Sequence, residues 1–188
     1  MMTLWLTGRP CSGKTTLGVA VTERLRNSGW KAELLDGDLI RRNLWPELTF
    51  SKVDRDENIR RFGYLAEMLA RQGVVPVVSA VSPYREARER VRRDSTQFVE
   101  VYVNASVEVC EQRDVKGMYA KARAGEIPDF TGLNDPYEPP ADPEVECFTA
   151  VETVEQSAAK IIRAVDSVFN RVTQNVPDWT QTKKKKRK

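Results

Sequence analysis

A three-layer α/β fold, with a central parallel sheet of about five strands and helices on both faces, is what this chain predicts. Two observations carry the prediction. Short apolar runs alternate with segments of helical period from residue 3 to residue 169, and the first run ends in a glycine loop that opens directly into a helix. Strands alternating with helices imply βαβ units.

Taken in order, Leu4–Thr7 is a short apolar run that stops at Gly8. A segment from Lys14 to Arg26 follows, with Leu17, Val21 and Leu25 spaced along one helical face. Ser28 and Gly29 turn the chain into a second strand, Ala32–Leu35. A helix over roughly 55–72 ends at Gly73, where helices favour glycine, and gives way to the apolar run Val74–Val78. A further helix around 84–93 leads to Phe98–Val103, which reads as a buried strand. From Asp114 to about Pro143 the character changes to glycines, prolines and basic residues, a length of loop that is usually functional, and it reads as a mobile lid. An amphipathic helix spans Thr153–Phe169.

The 188 residues are 40% hydrophobic, which suits one domain with a real core, placed here at residues 1–170. Residues 171–188 read as a disordered basic tail: Lys183 to Lys188 are all basic, and removing these six charges from the net +3 leaves −3 for the rest. A solvated tail is favoured over a nucleic-acid site. Three separated cysteines, Cys11, Cys110 and Cys147, suggest neither a disulfide framework nor a zinc site. With no long apolar segment and no signal sequence, the expected location is cytoplasmic, without a membrane partner. There is no histidine, so Ser-His-Asp chemistry is excluded and a proton acceptor would be a carboxylate.

Gly8-Arg9-Pro10-Cys11-Ser12-Gly13-Lys14-Thr15 matches G-x-x-x-x-G-K-[ST] between a strand and a helix, the context that a phosphate-binding loop requires. It makes the fold P-loop NTPase-type. Backbone N–H groups around Gly8, Ser12 and Gly13 are expected to cradle phosphate oxygens, with Lys14 placing a charge on the β- and γ-phosphates of ATP, Thr15 able to ligate Mg²⁺ and Thr16 continuing the site along the helix; the competing reading is an ordinary glycine turn. Asp36 and Asp38, with Arg41, lie just beyond the carboxyl end of the second strand, where ligands bind in open α/β sheets. One carboxylate suits taking or orienting an acceptor proton and the other suits holding metal-bound water; the competing reading is an Asp-Gly turn with solvated charges. Ser51-Lys52-Val53-Asp54 looks like a guanine-selective segment but precedes the third strand, which argues against a GTPase.

Several further blocks resemble the adenylylsulfate kinase family from about residue 3 to residue 165. They are Asp36-Gly37-Asp38-Leu39-Ile40-Arg41, Phe50-Ser51, Asp54-Arg55-Asp56-Glu57-Asn58, Ser79-Ala80-Val81-Ser82-Pro83-Tyr84-Arg85, Arg113-Asp114-Val115-Lys116-Gly117, and Phe130-Thr131-Gly132. The resemblance implies transfer of the ATP γ-phosphoryl group to the 3′-hydroxyl of adenylyl sulfate, with Mg²⁺. It assigns Asp38 to the hydroxyl, Arg41, Arg55 and Asn58 to the phosphosulfate and ribose, and Phe50 with Phe130 to the two faces of the adenine. Arg113 and Lys116 would neutralise charge on the nucleotide and the moving phosphoryl group. Ser82, labelled a phosphoserine intermediate in some members, joins the catalytic candidates; with no base beside it in sequence, Val81 and Ser82 are read chiefly as substrate contacts. The family also implies a homodimer and a functional link to an ATP sulfurylase on another chain.

Arg9-Pro10-Cys11, Thr49 and Met118 depart from the family pattern. Arg9 is expected beside the phosphates and Thr49 to restrict the Phe50 loop. Two rival readings stand: a P-loop kinase for another small hydroxyl acceptor, and a catalytically idle nucleotide-binding module.

Overall fold

Thr3–Thr7 forms β1, every residue of it buried, and its alternation of side chains splits the core in two. Leu4 and Leu6 join Leu17, Val21 and Leu25 of α1 (Lys14–Asn27) and Ile161 and Val165 of α7 (Val154–Gln174) on one face. Trp5 points to the other face and packs with Phe62 and Ala66 of α3 (Lys52–Arg71) and Val91 of α4 (Arg85–Asp94). Helices therefore cover both sides of the sheet. The computed structural model describes residues 1–174, the last four by backbone alone. α7 continues four residues past the boundary expected at 170. The rest of the expected basic tail, 175–188, lies outside the described residues.

The sheet has the order β2-β3-β1-β4-β5, with β2 at Ala32–Asp36, β3 at Val75–Ser79, β4 at Phe98–Asn104 and β5 at Val145–Phe148. All pairings are parallel, as the alternation predicts. The connection from β1 runs toward β2, whereas the one from β3 crosses to β4, so a crevice opens between the carboxyl ends of β1 and β3. The glycine loop follows one strand and Ala80–Pro83 follows the other. Topology alone places these two loops side by side.

Four elements escape the periodicity. The short helix α2 (Gly37–Leu44) has no fully buried residue, and only Ile40 packs partly against the core; it starts because the Asp36 carboxylate accepts from the N–H groups of Asp38 (3.1 Å) and Leu39 (3.0 Å). α5 (Val107–Arg113) is capped by Ser106, and β5 follows the proline-rich stretch as a four-residue edge strand. The segment 114–143 is not one loop: it contains α6 (Met118–Arg123), entered through Gly117 at φ 64, and an isolated bridge between Thr131 and Asp135. Beneath it Tyr119 and Phe130 pack edge to face at 4.8 Å beside buried Cys110.

Candidate active site

The loop after β1 is shaped by what cannot fit in it. A Cβ at position 8 would stand 2.5 Å from the Val103 carbonyl and 2.7 Å from the Ser12 hydroxyl, so only glycine lets the chain pass over β4. Cys11 (φ 60) and Gly13 (φ 101) take left-handed backbone, which turns successive N–H groups toward one centre as an anion nest. Ser12 is fully buried, and its hydroxyl has no hydrogen-bond partner.

Lys14 is the first residue of α1 and is 8% exposed. Its ammonium donates to the Arg9 carbonyl at 2.7 Å, and loss of hydration lowers its pKa to about 8, against a weaker opposing pull from Cys110, Asp38, Cys11 and Asp36. Beside it the Thr15 hydroxyl donates to Asp36 at 2.8 Å and lies 3.5 Å from the Ser79 hydroxyl. Asp36 is thus divided: one oxygen caps α2, and the other faces Thr15. This all-oxygen set is the chemistry that a hard cation takes, with phosphate and water supplying the remaining ligands. Among the described residues no cluster of three or more His, Cys, Asp and Glu offers an alternative.

A cavity of about 880 Å³ extends from this loop over the carboxyl ends of the strands. Gly13, Lys14, Thr15, Thr16, Asp36, Asp38, Arg41, Phe50, Arg55, Asn58, Val81, Ser82, Arg113, Lys116 and Phe130, all selected from sequence, line it. Gly8 and Ser12 do not; they shape the loop from beneath.

At the far wall Phe50 is 56% exposed, with the Arg41 guanidinium 4.2 Å and that of Arg55 5.5 Å from its ring centre. Arg41 donates to the carbonyls of Leu48 (2.6 Å) and Thr49, and burial together with the Arg55 charge lowers its pKa. Arg55 donates to the Phe50 carbonyl (2.7 Å), the Thr131 hydroxyl (2.6 Å) and the Asp129 carbonyl (2.5 Å). The Asn58 side chain accepts from the Trp45 indole at 2.6 Å. Phe130 is only 4% exposed, so the two phenylalanines are not equivalent: one stands free and one belongs to a packed cluster.

Asp38 pairs with Lys116, and this bond raises the Lys116 pKa. Ser82 has φ 46 and is 1% exposed; its hydroxyl accepts from the Trp5 indole at 3.0 Å and its carbonyl accepts from Arg88 at 2.6 Å. Arg113 donates to the Ser12 carbonyl (3.4 Å) and to Thr149, whose hydroxyl in turn donates to the same carbonyl at 2.8 Å. Thr149, just past β5, braces the phosphate loop and carries no motif that would have singled it out. Arg9 turns away from the loop's concave side, toward the Ala105 carbonyl (3.2 Å) and the Tyr137 ring (5.3 Å), and not toward the phosphates as expected. Thr49 donates from its backbone and hydroxyl to Asp54, which does hold the turn before Phe50.

A parallel sheet ordered 2-3-1-4-5, a glycine loop entering a buried lysine, and carboxylates at the next strand end define a P-loop kinase. A family model described as adenylylsulphate kinase matches residues 1–148. Adenylyl-sulfate kinase from Rippkaea orientalis is 54% identical over 167 residues, covering 89% of this chain and 92% of the relative. That from Microcystis aeruginosa is 57% identical over 160 residues, covering 85% and 88%. Among solved structures, the Mycobacterium tuberculosis APS kinase CysC in complex with AMPPNP and APS superposes with a TM-score of 0.84 at 38% identity, covering 88% of this chain and 97% of that one. The chain belongs to the adenylylsulphate kinase family.

Proposed function

We propose that this protein catalyses ATP + adenylyl sulfate → ADP + 3′-phosphoadenylyl sulfate, with the phosphate loop and the Phe50 wall holding the two substrates at opposite ends of one cavity. The observation that carries the reading is the position of Asp38. It stands at the start of α2 on the cavity wall, near enough for its charge to act on both the loop lysine Lys14 and Arg41, whose guanidinium lies over the Phe50 ring. The relatives of known name are adenylyl-sulfate kinases, and one solved relative holds an ATP analogue together with APS.

In this mechanism Lys14 and the loop N–H groups bind the β- and γ-phosphates, where buried donors act with little water to screen them. Thr15, with Asp36, would hold Mg²⁺, which neutralises charge on the transferred phosphoryl group. Arg41, Arg55 and Asn58 fix the phosphosulfate and ribose, for which guanidinium forks suit the spread of oxygens. Phe50 stacks on the adenine, and buried Phe130 forms the opposite wall. Asp38 accepts the 3′-hydroxyl proton as that oxygen bonds to the γ-phosphorus. The bond from the γ-phosphorus to the β,γ-bridging oxygen breaks, and its electron pair leaves with ADP. Lys116 then moves its charge from Asp38 to the phosphoryl oxygens, Arg113 screens the nucleotide phosphates, and the segment 114–143 acts as a lid. Ser82 contributes through its backbone, since its hydroxyl already serves Trp5.

A homodimer in a cytoplasmic compartment, fed by a sulfurylase on another chain, completes the proposal on the strength of the family; free Cys11, Cys110 and Cys147 favour that compartment. Among the described residues no helix is long and apolar enough to cross a membrane. The test is ADP release with adenylyl sulfate, sugar acids or nucleosides as acceptor. Adenylyl sulfate is expected to give turnover well above the acceptor-free background; faster release with another acceptor sinks the reading.

A further inference from the structure

Arg88 is 1% exposed, in the interior of α4 and outside the cavity lining, and nothing in the reaction as described uses it. Burying a guanidinium is costly unless its donors are met, and an aliphatic side chain of similar volume would fill the space with less penalty. What an arginine adds is a rigid planar fork. Here each arm reaches a different part of the chain: Nε donates to the Glu100 carboxylate in β4 (2.8 Å), Nη1 to the Ser82 carbonyl (2.6 Å) and Nη2 to the Glu138 carbonyl (2.7 Å). β4 is an interior strand, paired on one side with β1 and on the other with β5, so Glu100 anchors the fork to the sheet.

The two carbonyls belong to segments that meet along a seam. The Glu138 N–H donates to the Pro83 carbonyl (2.8 Å), the Glu138 carboxylate accepts from the Arg85 N–H (2.7 Å), and the Tyr84 hydroxyl donates to Asp135 (3.1 Å). Thr7 donates to the Val81 carbonyl (2.8 Å), and its hydroxyl lies 3.0 Å from that of Tyr137. Val81, Ser82 and Pro83 line the cavity on one side; Asp129, Phe130 and Thr131 line it on another, seven residues before Glu138 when counted from Thr131. The bonds from Arg88 cross this seam at its buried end.

We infer that Arg88 is a positioning residue for the acceptor. It fixes the Val81–Pro83 wall against the chain leaving the proposed lid, so that the adenylyl sulfate pocket is set at one width while the phosphate loop is untouched. The inference rests on the assignment of Val81 and Ser82 to the adenylyl sulfate side of the cavity. Lysine at position 88 retains the charge beside Glu100 but presents a single nitrogen, which cannot hold both carbonyls in the plane of a fork.

The experiment is steady-state kinetics of the full chain with Arg88→Lys beside the parent, each substrate varied at saturation of the other, with thermal melts. Arg88→Lys is expected to raise KM for adenylyl sulfate by about ten-fold or more while KM for ATP stays within about two-fold. A folded variant whose two KM values rise together, or do not rise, overturns the inference. Should the variant fail to fold, hydrogen exchange on the parent decides: adenylyl sulfate added with ADP is expected to slow exchange jointly in 84–88 and 137–139, and protection of one segment alone counts against coupling. A parent that releases no ADP with adenylyl sulfate overturns the functional reading and this inference with it; a parent that turns over normally beside an unaltered Arg88→Lys overturns the inference alone.

Discussion

Lys116 and Asp38, separated by 78 positions in the chain, form an ion pair across the mouth of the cavity, with side chains 61% and 80% exposed. A pair so open to water contributes less than about 1 kcal/mol to folding, because solvent screens it and two long side chains lose freedom. Its significance is chemical. In the proposed mechanism it holds the Lys116 ammonium on the carboxylate assigned as base, until a phosphoryl group offers that cation a stronger partner.

Asp38→Asn is therefore expected to lower kcat by about 10²–10⁴-fold, the usual range for losing a general base. Affinity for ADP by titration calorimetry should change by less than about three-fold, since the carboxylate does not hold the nucleotide. Turnover close to the parent's would remove Asp38 from the mechanism and favour the idle-module reading.

Lys14 gives a pH signature. The unfolded chain holds its proton to about 10.5, but the buried ammonium releases it near 8, so between those values unfolding takes up a proton and stability increases as pH rises. Below about 8 both states are charged, and the folded protein bears the full cost of the buried ammonium. A bound polyphosphate restores the proton. Mg·ADP binding should take up a large fraction of a proton at about pH 9 and none through Lys14 at about pH 6.5, as calorimetry in buffers of differing ionisation enthalpy would register. Equal uptake at both pH values would contradict the assignment.

Phe50 and Phe130 separate ligand binding from folding. Phe50→Ala removes an exposed ring and should alter stability by no more than about 0.5 kcal/mol, yet raise KM for adenylyl sulfate by about ten-fold or more. Phe130→Ala empties a packed site against Tyr119 and should cost about 3–5 kcal/mol in denaturant unfolding. The reverse pattern would show that Phe130, rather than Phe50, is the free aromatic.

Gly8→Ala tests the phosphate loop without touching a charge. The added methyl meets a β4 carbonyl and the Ser12 hydroxyl, so the loop must shift. A loss of about 1–3 kcal/mol in stability and at least about a ten-fold weaker ADP affinity are expected, checked by melts and calorimetry. Unchanged affinity would mean that the loop can rearrange at no cost to phosphate binding.

The sequence alone determined whatever is written locally. The phosphate loop is eight contiguous residues between a buried strand and a helix, and its chemistry follows from their order. Strands β1, β3 and β4 appear as apolar runs because interior parallel strands are buried on both faces, whereas β2, at the sheet edge with Glu33 exposed, was legible chiefly from the Ser28-Gly29 turn before it. The acceptor blocks were legible through family resemblance rather than through periodicity. Helix α2 was invisible because eight residues make little more than two helical turns, too few for a period to stand out, and it is started by one carboxylate cap. Only tertiary structure could distinguish Phe50 from Phe130, since two identical side chains differ solely in what packs around them. It alone turned Arg9 toward Tyr137, brought Thr149 under the phosphate loop, and buried Arg88 between two carbonyls 56 residues apart in the chain. Hydrogen bonds between residues distant in sequence have no period and no spacing; they exist only once the sheet has fixed where each loop ends.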